Sequence, residues 1–438
     1  MTTTDEGACQ DLDGAGQLVV DSTHLVAVER VLAELKIKTK TVGESTAFDL
    51  TLLDLTHDGP DLKETDFDRN GTGPRVADLD AVLNEVRARF AGRCAGWVPP
   101  LGKNRPVSSM FGAYPQTKSH TLWDPLPVGK PETWLRNTGA GEGVRIGLLD
   151  TEIFGHPDIP DDKINGASKF QIAADTVPYF EQGHGVFMAG LILQQAPAVT
   201  LVARAALDST GKASAWCMVK KLEEFYEDPA PDRVQLLVLA SGCRTYDGQA
   251  PLIIERAVER LSRRMLVVAA AGNHGAMVGM SRDLQITRNS PTWPAALPAV
   301  VSVGLPTPFP QSPLPAEEKL NYSPDLPWVT CTIDPGVSGE FVSSYLKATH
   351  VKMHSGEVTG TEKKPGFDDG FASWRGTSCA AAQLGGLIAA KMAQDNTDDA
   401  RKAFAALSSG DAPIAKPYEW KYREVTDPSP GATVGPNV

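Results

Sequence analysis

Three short segments constrain this chain more than its composition does: VRIGLLDTEI (144–153), QGHGVFMAG (182–190) and SWRGTSCAAA (373–382). They set Asp150, His184 and Ser378 in that order, and VVAAAGNHG (267–275), between the second and third, offers Asn273. Gly147, Leu148 and Leu149 belong to an apolar run of the kind that forms a buried parallel strand, which would deliver Asp150 at its carboxyl end. Gly-Thr-Ser before an alanine-rich stretch opens a helix through CAAAQLGGLIAAKM (379–392). Ser378 then stands at a helix N-terminus, where free N–H groups favour an anion. Each segment alone has an ordinary reading: a turn or cap aspartate, an exposed Gly-His-Gly loop, a helix N-cap. Together they supply a nucleophile, a base, a carboxylate to orient the base, and a side-chain amide for a developing oxyanion. The order Asp, His, Ser is one of the few sequential arrangements known for such a triad.

The match extends beyond these residues, and from about 131 to 405 the chain resembles the subtilisin-like serine peptidases. APAVTLVARAALDSTGKAS (196–214) is similar to that family's strand and turn after the histidine helix. VQLLVLASG (234–242) resembles its substrate-edge strand, WPAALPAVVSVG (293–304) the strand after the oxyanion asparagine, and DPGV (334–337) its Ala-Pro-Gly. The resemblance implies an α/β fold: a three-layer sandwich with a mostly parallel sheet. It further implies acyl transfer to Ser378, with His184 as base, Asp150 orienting it, and the Ser378 N–H with the Asn273 amide as oxyanion hole. An extended substrate would pair with Ala240, Ser241 and Gly242.

The chain also departs from the family pattern. Glu152 stands where a glycine is usual, either contacting the site or as a solvated loop charge. Gly185-Val186 replaces Gly-Thr, and Cys379-Ala380-Ala381-Ala382-Gln383 replaces Met-Ala-Thr-Pro-His. Cys379 either borders the cleft, where a bulky thiol reagent would obstruct it, or lies buried in the first helical turn. His156 resembles a structural His-Pro-Asp element, and His274, beside Asn273, either makes a loop contact, the favoured reading, or lines the cleft. Asp158 resembles a calcium position, but the loop completing that site is short here. No metal and no cofactor are therefore expected.

A formal charge of −12 argues against nucleic acid or an anionic membrane as partner. The expected partner is a peptide or protein substrate, and the sequence leaves the oligomeric state open. The start, MTTTDEGACQDLDG, has no basic-plus-apolar pattern, and the six cysteines show no paired spacing. Both features lead us to expect a cytoplasmic protein.

Before the peptidase-like region, QLVV, Leu25 to Leu35, KTKTV, FDLTLLDL and Leu79 to Phe90 read as β-α-β-β-α. This small α+β domain (1–95) is either prodomain-like or an unrelated accessory domain. A Pro- and Gly-rich extended linker (96–133), the peptidase domain (134–410), with a hairpin in its extra residues 338–371, and a proline-rich tail (411–438) complete the expected organisation. The reading is a serine endopeptidase of restricted specificity; the alternative is a catalytically silent peptide-binding regulator.

Overall fold

Alternate residues of the central strands face opposite sides, and both sides are apolar, so each strand must be covered twice. In β11 (Leu236–Leu239), Leu236 and Val238 enter one hydrophobic cluster while Leu237 and Leu239 enter another. The computed structural model describes residues 16–57, 79–109, 125–274, 290–305, 328–352, 363–409 and 414–415, apart from 137, 169–171, 173–176, 246–247, 336–339 and 349. Residues 1–15, Asp78, Gly336-Val337 of DPGV and nearly all of the tail therefore lie outside the described residues.

The central sheet contains β7 (Arg145–Thr151), β8 (Ile164–Asn165), β9 (Thr200–Leu207), β11, β13 (Leu266–Ala270), β15 (Val300–Gly304), β16 (Cys331–Ile333) and β21 (Ile414–Ala415). Its order is β21-β16-β15-β13-β11-β7-β9-β8, and every neighbouring pair is parallel except β16 with β21. Helices α3 (His184–Gln195) and α6 (Thr377–Gln394) cover one face, and α4 (Ala215–Glu227) and α5 (Leu252–Leu261) the other. A last helix, α7 (Ala400–Ser409), packs on α6. This is the three-layer α/β sandwich.

The N-terminal unit pairs β1 (Gln17–Asp21), β2 (Ile37–Ser45), β3 (Leu50–His57) and β4 (Leu101–Lys103) in the order β2-β3-β1-β4, with α1 (Leu25–Glu34) and α2 (Leu79–Arg93). Its sheet also has two dry faces. Leu18, Val20, Leu53 and Leu55 pack with Val28, Leu32, Val86 and Phe90 of the unit's own helices. Val19, Phe48, Leu50 and Leu52 instead enter the cluster that contains Trp216, Ile254 and Val258 of α4 and α5. Burying each such side chain contributes about 1.5–3 kcal/mol.

Polar contacts register the same surface. Glu223 accepts from Ser45 Oγ (2.8 Å) and Ala47 N (3.0 Å), and Arg256 pairs with Asp21 (2.9 Å). A Cβ at Gly43 would lie 2.7 Å from the Trp216 indole, so only glycine permits this approach of strand to helix.

The described residues of 96–133 contribute strands to three sheets. β4 completes the N-terminal sheet, and Asn104 then bonds to Gln17 Oε1 (2.7 Å) and to the Trp216 N–H (2.9 Å). The next residues form β5 (Pro106–Ser109), which lies between β10 (Lys212–Ser214) and β12 (Ser241–Arg244) in a sheet of order β10-β5-β12-β14, where β14 is Thr292–Trp293. A short β6 (Leu126–Pro127) pairs with β20 (Phe371–Trp374), which pairs in turn with β17 (Phe341–Ser344). The extra residues 338–371 also contain a two-stranded ribbon, β18 (His350–Lys352) with β19 (Lys363–Pro365).

Candidate active site

Asp150 is the penultimate residue of β7, and His184 is the first residue of α3. His184 Nδ1 lies 2.8 and 2.9 Å from the two carboxylate oxygens, and Asp150 Oδ1 also accepts the Thr151 N–H at 2.7 Å. A carboxylate can only accept, so Nδ1 carries the proton and Nε2 is left as the basic nitrogen. The edge of Trp374 meets the imidazole at a centroid distance of 5.4 Å, walling it on one side.

Sequence reasoning missed Thr151. Its hydroxyl accepts the Gly185 N–H at 2.9 Å, supplying a cap for α3 that Gly183 at the N-cap position cannot. Strand end and helix start are therefore tied together beside Asp150 and His184. Gly185 is needed for that approach, since a Cβ there would lie 2.5 Å from the Thr151 carbonyl oxygen. A threonine following an apolar run carries no sequence signal for a cap on a helix more than thirty residues away.

Ser378 is the second residue of α6, one later than the sequence suggests, because the helix begins at Thr377. Gly376 precedes it at φ 137°, a conformation that favours glycine. Thr377, also missed, clamps the loop after β13: its N–H donates to Asn273 Oδ1 (2.8 Å), and its Oγ1 accepts the Gly272 N–H (3.0 Å). With its oxygen committed to Thr377, the other end of the Asn273 amide is a donor. Helices α3 and α6 pack against each other. Asp150, His184, Asn273 and Ser378 are only 1–3% exposed, so the site is covered in this form.

The edge expected to hold substrate is occupied. Ser241 and Gly242 pair antiparallel with Ser109 and Ser108, while on the other side Ala213 and Lys212 pair with Val107 and Ser108. Ser109 N donates to Gly211 O at 2.8 Å. Ala240 is buried between β11 and β12. The chain's own segment is thus the middle strand of the sheet.

The remaining candidates divide cleanly. Glu152 is exposed. His156 accepts the Asp158 N–H at Nδ1 (3.1 Å) and donates from Nε2 to Gly370 O (2.8 Å), and burial holds its pKa below the usual value. Asp158 pairs with Lys130 at 2.5 Å. His274 Nε2 lies 2.7 Å from Ser290 O; burial, reinforced by the charge of Arg244, pushes its pKa down to about 4. Among the described residues, no three His, Cys, Asp or Glu side chains gather as a metal set. No helix of the described residues is long and apolar enough to cross a membrane.

Cys379 is buried, and burial foremost drives its thiol pKa well above the usual range, which favours the second of the two readings, a buried cysteine in the first helical turn. A bulky maleimide applied under native conditions is expected to modify the exposed Cys94 and spare Cys379. Peptide mass mapping checks this; an adduct on Cys379 at a rate comparable with Cys94 contradicts the buried placement.

A model of the subtilase family matches residues 141–407. The serine protease AprX of Bacillus subtilis (strain 168) is 27% identical over 155 residues, which is 32% of this chain and 35% of that protein. The crystal structure of fervidolysin from Fervidobacterium pennivorans, a keratinolytic enzyme related to subtilisin, matches with a TM-score of 0.53 at 11% identity. That match covers 90% of this chain and 57% of fervidolysin. The present chain therefore spans about a third of the length of the first and just over half of the second.

Proposed function

The chain belongs to the subtilase family, and on that premise we propose that it is a serine endopeptidase restrained by its own N-terminal unit. The observation that carries the chemistry is the buried Asp150–His184 pair, which joins the carboxyl end of β7 to the start of α3, the helix packed against α6. His184 Nε2 takes the proton of Ser378 Oγ as that oxygen attacks a peptide carbonyl carbon. Asp150 holds the tautomer and stabilises the imidazolium that results. The Ser378 N–H and the Asn273 amide receive the oxyanion. The imidazolium then protonates the leaving amine, and water hydrolyses the acyl-enzyme by the same proton route in reverse.

The position of β5 supports the restraint. An extended substrate has to form the main-chain bonds that Val107, Ser108 and Ser109 already make. A substrate must displace this strand before it can be cut, which favours processing of a particular partner over bulk digestion. An intracellular setting is part of the proposal, supported by five described cysteines that are all free thiols, four of them buried.

Val107, 1% exposed within the apolar cluster, is the handle for a test. Val107→Asp places a carboxylate where no water can reach it, so β5 should leave the edge. In the 438-residue chain this change is expected to raise the rate of fluorophosphonate labelling at least ~10-fold, as expected from losing about 1.4 kcal/mol or more of strand binding, with Ser378→Ala abolishing it. Equal labelling in wild type and variant defeats the restraint. Failure of both to label defeats the peptidase assignment and leaves the silent peptide-binding reading.

A further inference from the structure

Only Arg375 and Gly376 separate the last paired residue of β20, Trp374 opposite Phe341, from Thr377, whose clamp to Gly272 and Asn273 starts α6. Gly376, at φ 137°, is the least restrained residue of that bridge and stands two before Ser378. The strand side of the bridge is held by Glu340, a residue outside every segment that carries the family resemblance. Its Oε1 accepts from Arg375 Nε at 3.1 Å and again from a terminal guanidinium nitrogen, and its Oε2 accepts the Ser373 hydroxyl at 2.5 Å.

The register makes these bonds a clamp on one face of β20. β17 and β20 run antiparallel, so Glu340 stands opposite Arg375, one step past the Phe341–Trp374 pair. Ser373 and Arg375 share the face that Glu340 holds. Trp374, between them, points the other way into the main core, where its ring edge meets His184. β17 is itself fixed to α3, the helix that starts at His184. Ser343 Oγ donates to Phe187 O (2.8 Å), Ser344 Oγ to Val186 O (3.0 Å), and Gln194 Nε2 to Val342 O (2.8 Å). One strand thus sets the position of the base and of the backbone leading to the nucleophile.

We infer that Glu340 is a positioning residue of the reaction: through Arg375 and Ser373 it fixes the turn that presents Ser378 Oγ to His184 Nε2. The inference rests on the peptidase reading above. The side chains of Arg375 and Glu340 are only 15% and 24% exposed, so the pair escapes much of the screening that makes open surface pairs worth little. Removing the carboxylate leaves a largely buried guanidinium without its counter-charge, and the strand end has to shift to bring that charge to water. A displacement on the order of 1 Å at a reacting group costs about 10²-fold in rate.

The test measures kcat and KM on a quenched peptide with the 438-residue Val107→Asp protein as parent, each rate taken per site titrated with a fluorophosphonate. Glu340→Ala is expected to lower kcat about 10- to 100-fold with KM within about threefold. Arg375→Ala should do the same, and the double variant should lose no more than the worse single one, because both remove one clamp. Glu340→Gln keeps the shape and an acceptor for Arg375 but not the charge, and should fall only about 3- to 10-fold below the parent. A pair that merely stabilises the fold lowers the melting temperature and leaves kcat per titrated site unchanged; that result, or losses that add in the double variant, overturns the inference. Where the alanine variants do not fold, Glu340→Gln decides it, and a kcat equal to the parent's overturns it. If the parent neither cuts nor labels, the peptidase reading falls, and NMR of protein carrying isotope-labelled histidine decides the positioning role. Glu340→Ala should then shift the ring signals that His184→Ala removes, and unshifted signals overturn it.

Discussion

Ser378→Ala, introduced into the strand-released Val107→Asp protein, is expected to lower kcat by about 10⁶-fold. In the proposed mechanism the hydroxyl is the only group removed, and its oxygen is the atom that bonds to the substrate carbon. Peptide binding and the melting transition should change little, because the helix start is held by Thr377 through Gly272 and Asn273 rather than by Ser378. Single-turnover kinetics with a quenched peptide measure the loss. Residual turnover within a factor of ten of the parent would place the nucleophile elsewhere. A loss accompanied by unfolding would leave the chemical role unproved, so the melting curve belongs to the same experiment.

Asn273→Ala in the same background is expected to cost roughly 10²–10³ in kcat, with KM within a few fold. In the proposed mechanism the amide acts on charge that develops only after the substrate is attacked, so ground-state binding should hardly register its loss. The structure adds a complication and its remedy. Asn273 Oδ1 also accepts the Thr377 N–H, so alanine strands a buried donor and should lower stability by about 1–3 kcal/mol. Asn273→Asp keeps the acceptor while removing the donor and adding negative charge. It should preserve the clamp yet lose at least as much activity as alanine. An aspartate variant as active as wild type would show that Asn273 serves only to hold Thr377.

Both experiments address roles that the sequence suggested from residue type and order alone. Asp150 at the end of an apolar run and Ser378 in the first turn of an alanine-rich helix were legible because strand and helix periodicity are local properties. The N-terminal β-α-β-β-α pattern was legible for the same reason, as the placement of Leu18, Val28, Leu32, Leu53 and Val86 in one cluster shows. Thr151, Thr377 and Trp374 were not. Each acts on a residue far along the chain, through a single hydrogen bond or ring edge that leaves no periodic trace. For Cys379 the sequence left two placements open: it stands beside Ser378, but only packing decides whether a neighbour in the chain faces the cleft or the core.

The largest gap concerned residues 96–133. Prolines and glycines there suggest extended backbone, and among the described residues β4 and β5 are extended strands. Whether such a stretch spans solvent or completes a sheet depends on which unpaired strand edges lie within its reach. The motifs around Asp150, His184, Asn273 and Ser378 carried the family resemblance and the order of the chemical groups, and local periodicity carried the alternation of strand and helix. Tertiary structure alone decided that Val19, Phe48, Leu50 and Leu52 share a core with α4 and α5, and that β5 fills the edge between β10 and β12. Backbone hydrogen bonding across a strand pair is indifferent to sequence, so only the arrangement of the two units in space could assign that edge to the chain itself.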